Sequence, residues 1–431
     1  MKKTVTTIIS LVMCVTLTAC TLPGFMQDIA DDISYLLDDS PEEEYALPKP
    51  VDEDDYAFDN GIEVSEEVIE LDDDEPDPDD SAQSGDEDGS LDRVLKDERY
   101  FAYHTLKEGE QKMYKMIYTS LFDFGSRISM PTRDPAMIDK VFNCVLADNP
   151  ELFYVRGYNL IRFERGGNVE QLSISGIYTM TRAEAKEHQE KADRYVDECL
   201  ANAPSGTDDY EVIKYLYEYI IGHTEYDLNA PNGQNYLSVF ENGRSVCQGY
   251  ASAMQYMMTK RGLLCTIVRG VTGDNENHAW NLVKADGEYY HIDVTWGDMS
   301  YDLSSESDLS SLPELPEISY EYLCVTTDSI EQSHTTDNPF PIPVCTSMAD
   351  NYYVREGNYF ETVDKEQLMR VFDKAYDSGM TMVSVKCSDE QVYSAMTDHL
   401  MGDGHVFDYL RGAGNVNYVT LNNLNELIFY L

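Results

Sequence analysis

The chain has 431 residues, of which 42 % are hydrophobic and 11 % are aromatic. A chain of this length and apolar content can form two or three domains with a sizeable core. Its formal net charge of −49 excludes the general electrostatic attraction by which proteins bind nucleic acid phosphates, so we expect no nucleic acid partner.

Residues 1–20 have the pattern of a signal peptide. Lys2 and Lys3 provide a positive region, and a mildly apolar run from Val5 to Leu17 is too short to span a bilayer. The closing Leu-Thr-Ala-Cys resembles a bacterial lipoprotein processing site, which implies cleavage before Cys20 and lipidation of its thiol. An ordinary secretory signal is the alternative. Either interpretation predicts export, and the first predicts a lipid anchor to the cell membrane on its extracellular face.

Residues 21–90 are strongly acidic, with 27 Asp and Glu residues against one basic residue, Lys49. Because little apolar surface is available to offset chain entropy, we predict a disordered acidic linker. Calcium binding is the alternative, but no loop has the Gly and Glu spacing of a dedicated calcium site.

Residues 91–205 are predicted to form an N-terminal α+β region without an assignable chemistry. Helical periodicity, a capping box at Thr181 and strand patterns around Gly166-Gly167 support this prediction. The predicted helices span 110–122, 134–146 and 181–200, and the predicted strands span 152–163 and 169–178.

A helix is predicted from Gln248 to Arg261, with Gly262 as its stop signal. Cys247 then lies at the helix N-terminus, where unpaired N–H groups and the positive end of the helix dipole favour a thiolate. Gly249 in the first turn would let a substrate backbone approach closely.

Asp286-Gly287 predicts a two-residue hairpin turn between strands 277–285 and 288–295. Such a turn pairs Ala285 with Glu288, and counting back places Trp280 opposite Asp293.

His278 and Asp293 then become diagonal neighbours on one face of the hairpin, roughly 7–8 Å apart at the backbone, which is within side-chain reach of a hydrogen bond. Each residue also has an ordinary structural interpretation: a buried cysteine, a satisfied strand histidine and a turn-capping aspartate. Their coincidence within about fifty residues favours function. We predict a catalytic triad of Cys247, His278 and Asp293.

Three motifs in this stretch carry a family resemblance. They are Val-Cys-Gln-Gly-Tyr-Ala at 246–251, Asn-His-Ala-Trp-Asn at 277–281 and His-Ile-Asp-Val-Thr-Trp at 291–296. Together they resemble the motifs of the transglutaminase-like superfamily of papain-like thiol enzymes. The resemblance implies an α+β fold for residues 206–348, in which a helix carrying the cysteine packs on an antiparallel sheet carrying the histidine and the aspartate.

The same resemblance implies a nucleophile at Cys247, a base at His278 and an orienting acid at Asp293. It leaves the reaction open, because the superfamily includes cross-linking enzymes, peptidases, deamidases and members that have lost activity. Cross-linking members use a tryptophan upstream of the nucleophile, whereas Trp280 and Trp296 both follow Cys247. We therefore favour hydrolysis over cross-linking.

The tetrahedral intermediate of acyl transfer needs two hydrogen-bond donors for its oxyanion. The backbone N–H of Cys247 is one candidate donor. Gln234, Asn235 and Tyr236 are candidates for the other, and Gln234 is the one that we favour.

The sequence thus predicts a thiol enzyme that acts on amide bonds of peptides or proteins. A cross-linking enzyme and a non-catalytic adhesion or scaffold module are the alternatives. The expected partners are a peptide or protein substrate and, through Cys20, the membrane, and cell-wall components are a further candidate. We expect no cofactor and no metal, because we find no close Cys/His cluster typical of zinc sites.

Six further mature cysteines could form three disulfides or remain thiols, and their spacing gives no connectivity. They are Cys144, Cys199, Cys265, Cys324, Cys345 and Cys387.

Residues 300–312 are predicted to form a linker or flap, and residues 320–325 are predicted to form a closing strand. His334 could lie near the site, but we prefer a surface position for it. Residues 349–431 are predicted to form a C-terminal α+β accessory region.

Overall fold

The computed structural model describes residues 62–72, 90–206, 208–273, 275–298, 318–412 and 415–431. The predicted signal peptide, the flap at 300–312 and most of the acidic linker lie outside these residues. Within them, no helix combines the length and the apolar character that a membrane crossing requires.

The N-terminal part contains a four-stranded sheet in the order β1-β3-β4-β2. As predicted, β3 and β4 form a hairpin around Gly166-Gly167, and Thr181 and Glu184 form the capping box of the long helix. The elements are β1 (Glu63–Glu70), α1 (Ser90–Val94), α2 (Phe101–Thr105), α3 (Glu108–Phe122), β2 (Arg127–Ser129), α4 (Pro135–Asp148), β3 (Val155–Arg165), β4 (Asn168–Tyr178) and α5 (Arg182–Leu200).

Strand β1 lies inside the segment that was predicted to be disordered, so that prediction was wrong for residues 63–70. β1 runs parallel to β3, and nearly all of its residues are exposed. Backbone pairing holds it there, together with an ion pair of 2.8 Å between Glu63 and Arg156 and a second between Glu66 and Arg162. The amino-acid composition of this segment does not reveal such a strand, because backbone hydrogen bonds to β3 form with little burial of apolar side chains.

The central part contains an antiparallel four-stranded sheet in the order β10-β7-β8-β9. Its elements are α6 (Asp209–Gly222), β5 (Glu225–Tyr226), β6 (Arg244–Ser245), α7 (Cys247–Arg261), β7 (Cys265–Thr272), β8 (Asn277–Ala285), β9 (Glu288–Ile292), α8 (Thr327–Ile330) and β10 (His334–Thr336). One hydrophobic core extends from Leu95 to Phe340, so the N-terminal part and this sheet are packed together.

Helix α7 is the central helix of this core. It packs against β7 and β8 on one side and against α5 and α6 on others, and its residues from Cys247 to Met258 are almost all buried. A helix buried nearly all round needs no polar face, which explains the absence of a clear amphipathic pattern in its sequence.

The predicted closing strand over 320–325 is not continuous. Val325 forms an isolated bridge with His291, while Cys324 has a φ of 55° that interrupts an extended backbone. The strand prediction was therefore wrong, because the apolar residues of this segment are buried in a turn and not in an extended strand.

The C-terminal part forms a third sheet in the order β11-β12-β14-β13 over a separate hydrophobic core. The elements are α9 (Tyr352–Glu356), β11 (Tyr359–Phe360), α10 (Lys365–Asp377), β12 (Met382–Cys387), α11 (Glu390–Thr397), β13 (Tyr418–Leu421) and β14 (Glu426–Tyr430). These elements are the mixture of helices and strands that was predicted for residues 349–431.

Gly249 serves the packing of α7 and not the approach of a substrate, so that expectation was wrong. A Cβ atom at this position would lie 2.0 Å from Ser245 Oγ, 2.6 Å from Ser238 Oγ and 2.7 Å from the Gly233 carbonyl oxygen. The polypeptide that precedes Cys247 therefore already fills the space beside Gly249.

Gly249→Ala should lower the free energy of unfolding by about 1–3 kcal/mol, because a backbone carbonyl must move to admit the methyl group. Gly109→Ala is the matched control, since no atom lies within 4 Å of its added Cβ. The free energy of unfolding of the control should rise by no more than about 1 kcal/mol. Urea unfolding of both variants measures the difference, and equal stabilities would contradict this packing.

Candidate active site

Cys247 is the first residue of α7 and is fully buried. The N–H groups of a first helical turn have no intrahelical acceptors, so they favour negative charge at this position. Cys247 packs in a small cluster with Ala251 of its own helix and with Ile267 and Ala279 of the sheet. The helix and the sheet therefore meet at the cysteine, as the sequence predicted.

The predicted pairing of the hairpin is confirmed, but its second strand is shorter than the predicted 288–295, because β9 ends at Ile292 and Asp293 does not pair with Trp280. Ala285 pairs with Glu288, and the register continues to the pair of Asn281 and Ile292. Asp293 is the next residue, where the chain leaves the sheet in a turn. His278 Nε2 donates to Asp293 Oδ2 over 2.7 Å.

Both side chains are almost completely removed from solvent, with exposures of 5 % for His278 and 0 % for Asp293. Burial lowers the pKa of His278, but the charge and hydrogen bond of Asp293, together with Cys247, outweigh burial and raise it to about 10. Burial raises the pKa of Asp293, whereas His278 and His334 together hold it far below its ordinary range. The arrangement thus favours an imidazolium paired with a carboxylate.

Because Nε2 of His278 is bound to Asp293, Nδ1 is the nitrogen left to interact with the thiol of Cys247. A hydrogen bond to Cys247 is among the interactions that raise the pKa of His278. The structure therefore brings together the three residues that the sequence singled out, in the order thiol, imidazole and carboxylate.

His334 is a fourth member of this group, which the sequence analysis raised only as the less favoured alternative to a surface position. It is buried, and its Nε2 donates to the same Asp293 oxygen over 3.0 Å. The preferred surface position was wrong because β10 pairs with β7 and carries His334 inward opposite Thr272. A strand of three residues leaves too short a pattern for detection from sequence.

The carboxylate of Asp293 is fully engaged by these partners. Its second oxygen, Oδ1, accepts the backbone N–H of Trp296 over 3.1 Å. One ring nitrogen of each histidine and a carboxylate oxygen lie within 4.8 Å of one another. Direct hydrogen bonds already join these atoms, so their geometry favours a hydrogen-bonded relay over a metal centre.

Aromatic rings enclose the two imidazoles. The ring centroids of Trp296 and Trp280 lie 4.5 Å and 5.0 Å from that of His334. Trp280 Nε1 donates to Nδ1 of buried His291 over 3.1 Å. Burial, followed by the charge of His334, lowers the pKa of His291 to about 4, so His291 remains a neutral acceptor. The tryptophans thus keep water away from the charged pair.

The turn that carries Gln234 lies beside the first turn of α7, through the close approach of Gly233 to Gly249. The alternatives are engaged elsewhere. Tyr236 Oη donates to Gln189, and Asn235 Oδ1 accepts from the backbone N–H of Leu237. Gln234 is exposed and remains the candidate for the second oxyanion donor.

All seven described cysteines are buried and free, so no disulfide forms among them. Burial raises the pKa of several of these thiols, to about 12 for Cys144 and about 11 for Cys345. These cysteines are therefore poor nucleophiles.

Parts of the chain are similar to known proteins. The mouse kyphoscoliosis peptidase is 28 % identical over 105 residues, which cover 21 % of this chain and 16 % of the mouse protein. The human kyphoscoliosis peptidase is 27 % identical over 121 residues, or 24 % of this chain and 18 % of the human protein. The chain thus matches less than a fifth of the length of either relative.

Two solved structures are also similar to parts of the chain. A crystal structure of a TGase shares 16 % identity over 33 % of this chain and 44 % of its own, with a TM-score of 0.24. The periplasmic domain of TgpA from Pseudomonas aeruginosa shares 15 % identity over 29 % and 53 %, with a TM-score of 0.20. Scores this low carry no argument by themselves.

The family model of the transglutaminase-like superfamily matches residues 196–294. These residues include Cys247, His278 and Asp293, and they extend from the end of α5 to the turn after β9. The chain therefore contains a domain of the transglutaminase-like superfamily.

Proposed function

We propose that the protein is an exported thiol enzyme that hydrolyses amide bonds in extracellular peptides or proteins. The observation that carries this proposal is the buried hydrogen bond of 2.7 Å between His278 Nε2 and Asp293, which leaves Nδ1 for Cys247 at the start of α7. A non-catalytic scaffold would not require a buried carboxylate and imidazole beside a helix-terminal thiol.

The reaction follows the chemistry of a thiolate and an imidazolium. The thiolate of Cys247 attacks the amide carbonyl carbon and forms a tetrahedral oxyanion, for which the backbone N–H of Cys247 and Gln234 are the proposed donors. His278 then gives its Nδ1 proton to the leaving amine, and the C–N bond breaks to leave a thioester. A water molecule, deprotonated by His278, adds to the thioester carbonyl, and the C–S bond breaks to release the carboxylic acid and restore the Cys247 thiolate beside protonated His278.

Protein cross-linking is the second candidate, in which an amine replaces that water molecule. Trp280 and Trp296 enclose the histidines and could help to exclude water, which is the observation that favours transfer. Both tryptophans follow Cys247, so neither can be an upstream oxyanion donor, and the favoured donor, Gln234, is polar and exposed. This observation favours hydrolysis. The mouse relative is named a peptidase, which also supports hydrolysis.

Export and anchoring are part of the proposal. Cleavage before Cys20 and lipidation of its thiol would hold the enzyme at the extracellular face of the membrane, and the acidic segment would separate it from the lipid surface. The substrate would then be a peptide, a protein or a cell-wall peptide outside the cell.

The first prediction concerns the fate of the thioester. Full-length protein supplied with glutamine-containing peptides and a labelled primary amine should cleave peptide or release ammonia, with little label incorporated. Cys247→Ala should abolish every product, and Cys265→Ala, at another buried thiol, should retain them. Ready incorporation of the amine without cleavage, lost in Cys247→Ala, would show that the enzyme is a cross-linker.

The second prediction concerns Asp293→Asn, which keeps the size of the side chain but removes its charge. Turnover should fall by about 10⁴, by analogy with the aspartate of serine triads, because the imidazole loses the carboxylate charge that orients it and stabilises its protonated form. Steady-state kinetics measure the effect, and full activity in this variant would remove Asp293 from the mechanism.

Asp293→Asn also changes how stability depends on pH. His278 has a folded-state pKa of about 10 against an ordinary 6.5, so its contribution is fully present below pH 6.5 and is lost as the pH rises toward 10. The unfolding free energy of the wild type should therefore decrease over this interval more steeply than that of Asp293→Asn. Parallel curves from urea unfolding would contradict the assigned charge pair.

The third prediction separates positioning by His334 from simple packing. His334→Phe removes the N–H donor to Asp293 and should lower kcat by about 10–100-fold with little change in KM, by analogy with other residues that orient a ligating or catalytic group. His334→Gln retains a donor and should recover much of the loss. If both variants lose kcat equally at equal stability, His334 has no orienting role.

A further inference from the structure

A second group of polar residues lies in the C-terminal part and is not used by the thiol site. We call it the C-terminal histidine cluster, and it consists of His399, Asp403 and His405. One ligand-capable atom from each residue lies within 4.8 Å of the other two. The spacing His-x₃-Asp-x-His is compact in sequence.

The local backbone brings the three side chains together. His399 lies in a π-helical turn, Asp398–Gly402, that follows α11, and His405 begins a 3₁₀ turn, His405–Asp408. Gly404 between them has a φ of 73°, a left-handed conformation that reverses the chain. The two imidazole rings stack with centroids 4.6 Å apart.

Each histidine has one ring nitrogen fixed by a neighbour. His405 Nδ1 pairs with Asp408 Oδ2 at 2.7 Å, and His399 Nε2 pairs with the hydroxyl of Tyr409 at 3.2 Å. No hydrogen bond of the other nitrogen, His405 Nε2 or His399 Nδ1, is found in the part of the chain that the structure describes. Metal-ligating histidines typically have this arrangement, with the second nitrogen oriented by a carboxylate or another polar group.

Apolar residues anchor the backbone that carries the cluster. Leu400, Val406 and Tyr409 interleave with the ligand-bearing residues and are packed in the hydrophobic core of the C-terminal part. His399 is 9 % exposed, His405 is half-buried and Asp403 is exposed, so an ion from solvent can reach the cluster. Such a site would lose little side-chain entropy when it binds an ion.

We propose that the C-terminal histidine cluster binds one divalent transition-metal ion of the zinc class. Two imidazole nitrogens and one carboxylate oxygen form a donor set that suits Zn²⁺ better than Ca²⁺ or Mg²⁺, which take oxygen ligands. Water completes the coordination. The site is independent of the proposed thiol chemistry, since it belongs to a different core and shares no residue with it.

The test is calorimetric titration of Zn²⁺ into the full-length chain carrying Cys247→Ala, which removes the thiol as a ligand. Millimolar Ca²⁺ should be present throughout to saturate the many carboxylates. We expect one Zn²⁺ per chain, and Co²⁺ should give an absorption spectrum of a nitrogen and oxygen site. His405→Ala and Asp403→Asn should each weaken binding by at least about 10-fold, and Asp408→Asn, which frees His405 Nδ1, should weaken it measurably.

His223→Ala is the matched control, because His223 is exposed and lies outside the cluster. It should leave Zn²⁺ affinity unchanged. Circular dichroism and thermal unfolding establish that each variant is folded. No stoichiometric binding, binding unaffected by both His405→Ala and Asp403→Asn, or binding lost instead in His278→Ala would each overturn the proposal.

Discussion

The burial of the Asp293 carboxylate is the constraint on which the site depends. An ion without solvent contact carries a penalty of several kcal/mol unless donors surround it. Asp293 has three: His278 at 2.7 Å, His334 at 3.0 Å and the backbone N–H of Trp296 at 3.1 Å. These donors come from β8, β10 and the turn after β9, so the site forms only when this sheet and turn are complete.

A second set of hydrogen bonds fixes the cysteine relative to that sheet. Asn281 Nδ2 donates to the Ala251 carbonyl over 3.0 Å and ties β8 to the first turns of α7. Tyr250 Oη donates to the Asp298 carboxylate over 2.5 Å, which joins the same turns to the chain beyond Asp293. Asn281 and Tyr250 belong to the sequence motifs around His278 and Cys247. Their hydrogen bonds fix the position of the thiol relative to the imidazole, which gives these two residues a physical role in the motifs.

Much of the site could be predicted because its determinants are local. The turn Asp286-Gly287 adopts positive φ at both residues, 48° and 90°, and a turn of this kind sets the register that brings His278 and Asp293 together. Gly262, with a φ of 86°, ends α7 where expected.

The features that escaped prediction are not local. His334 reaches Asp293 through a three-residue strand, and β1 pairs with a strand some ninety residues away by backbone contacts. Gly249 was misread because the residues that crowd it come from a turn whose path a sequence does not reveal.

The most direct test of the central claim is the rate at which iodoacetamide alkylates each cysteine of the folded protein, measured by mass spectrometry across pH. If the ion pair of His278 and Asp293 activates the adjacent thiol, Cys247 should react fastest, and the six other described cysteines provide internal controls within the same sample. The account predicts that Asp293→Asn slows alkylation of Cys247 at neutral pH and leaves the other rates unchanged. Alkylation of Cys247 no faster than that of the other buried thiols, and unaffected by Asp293→Asn, would contradict it.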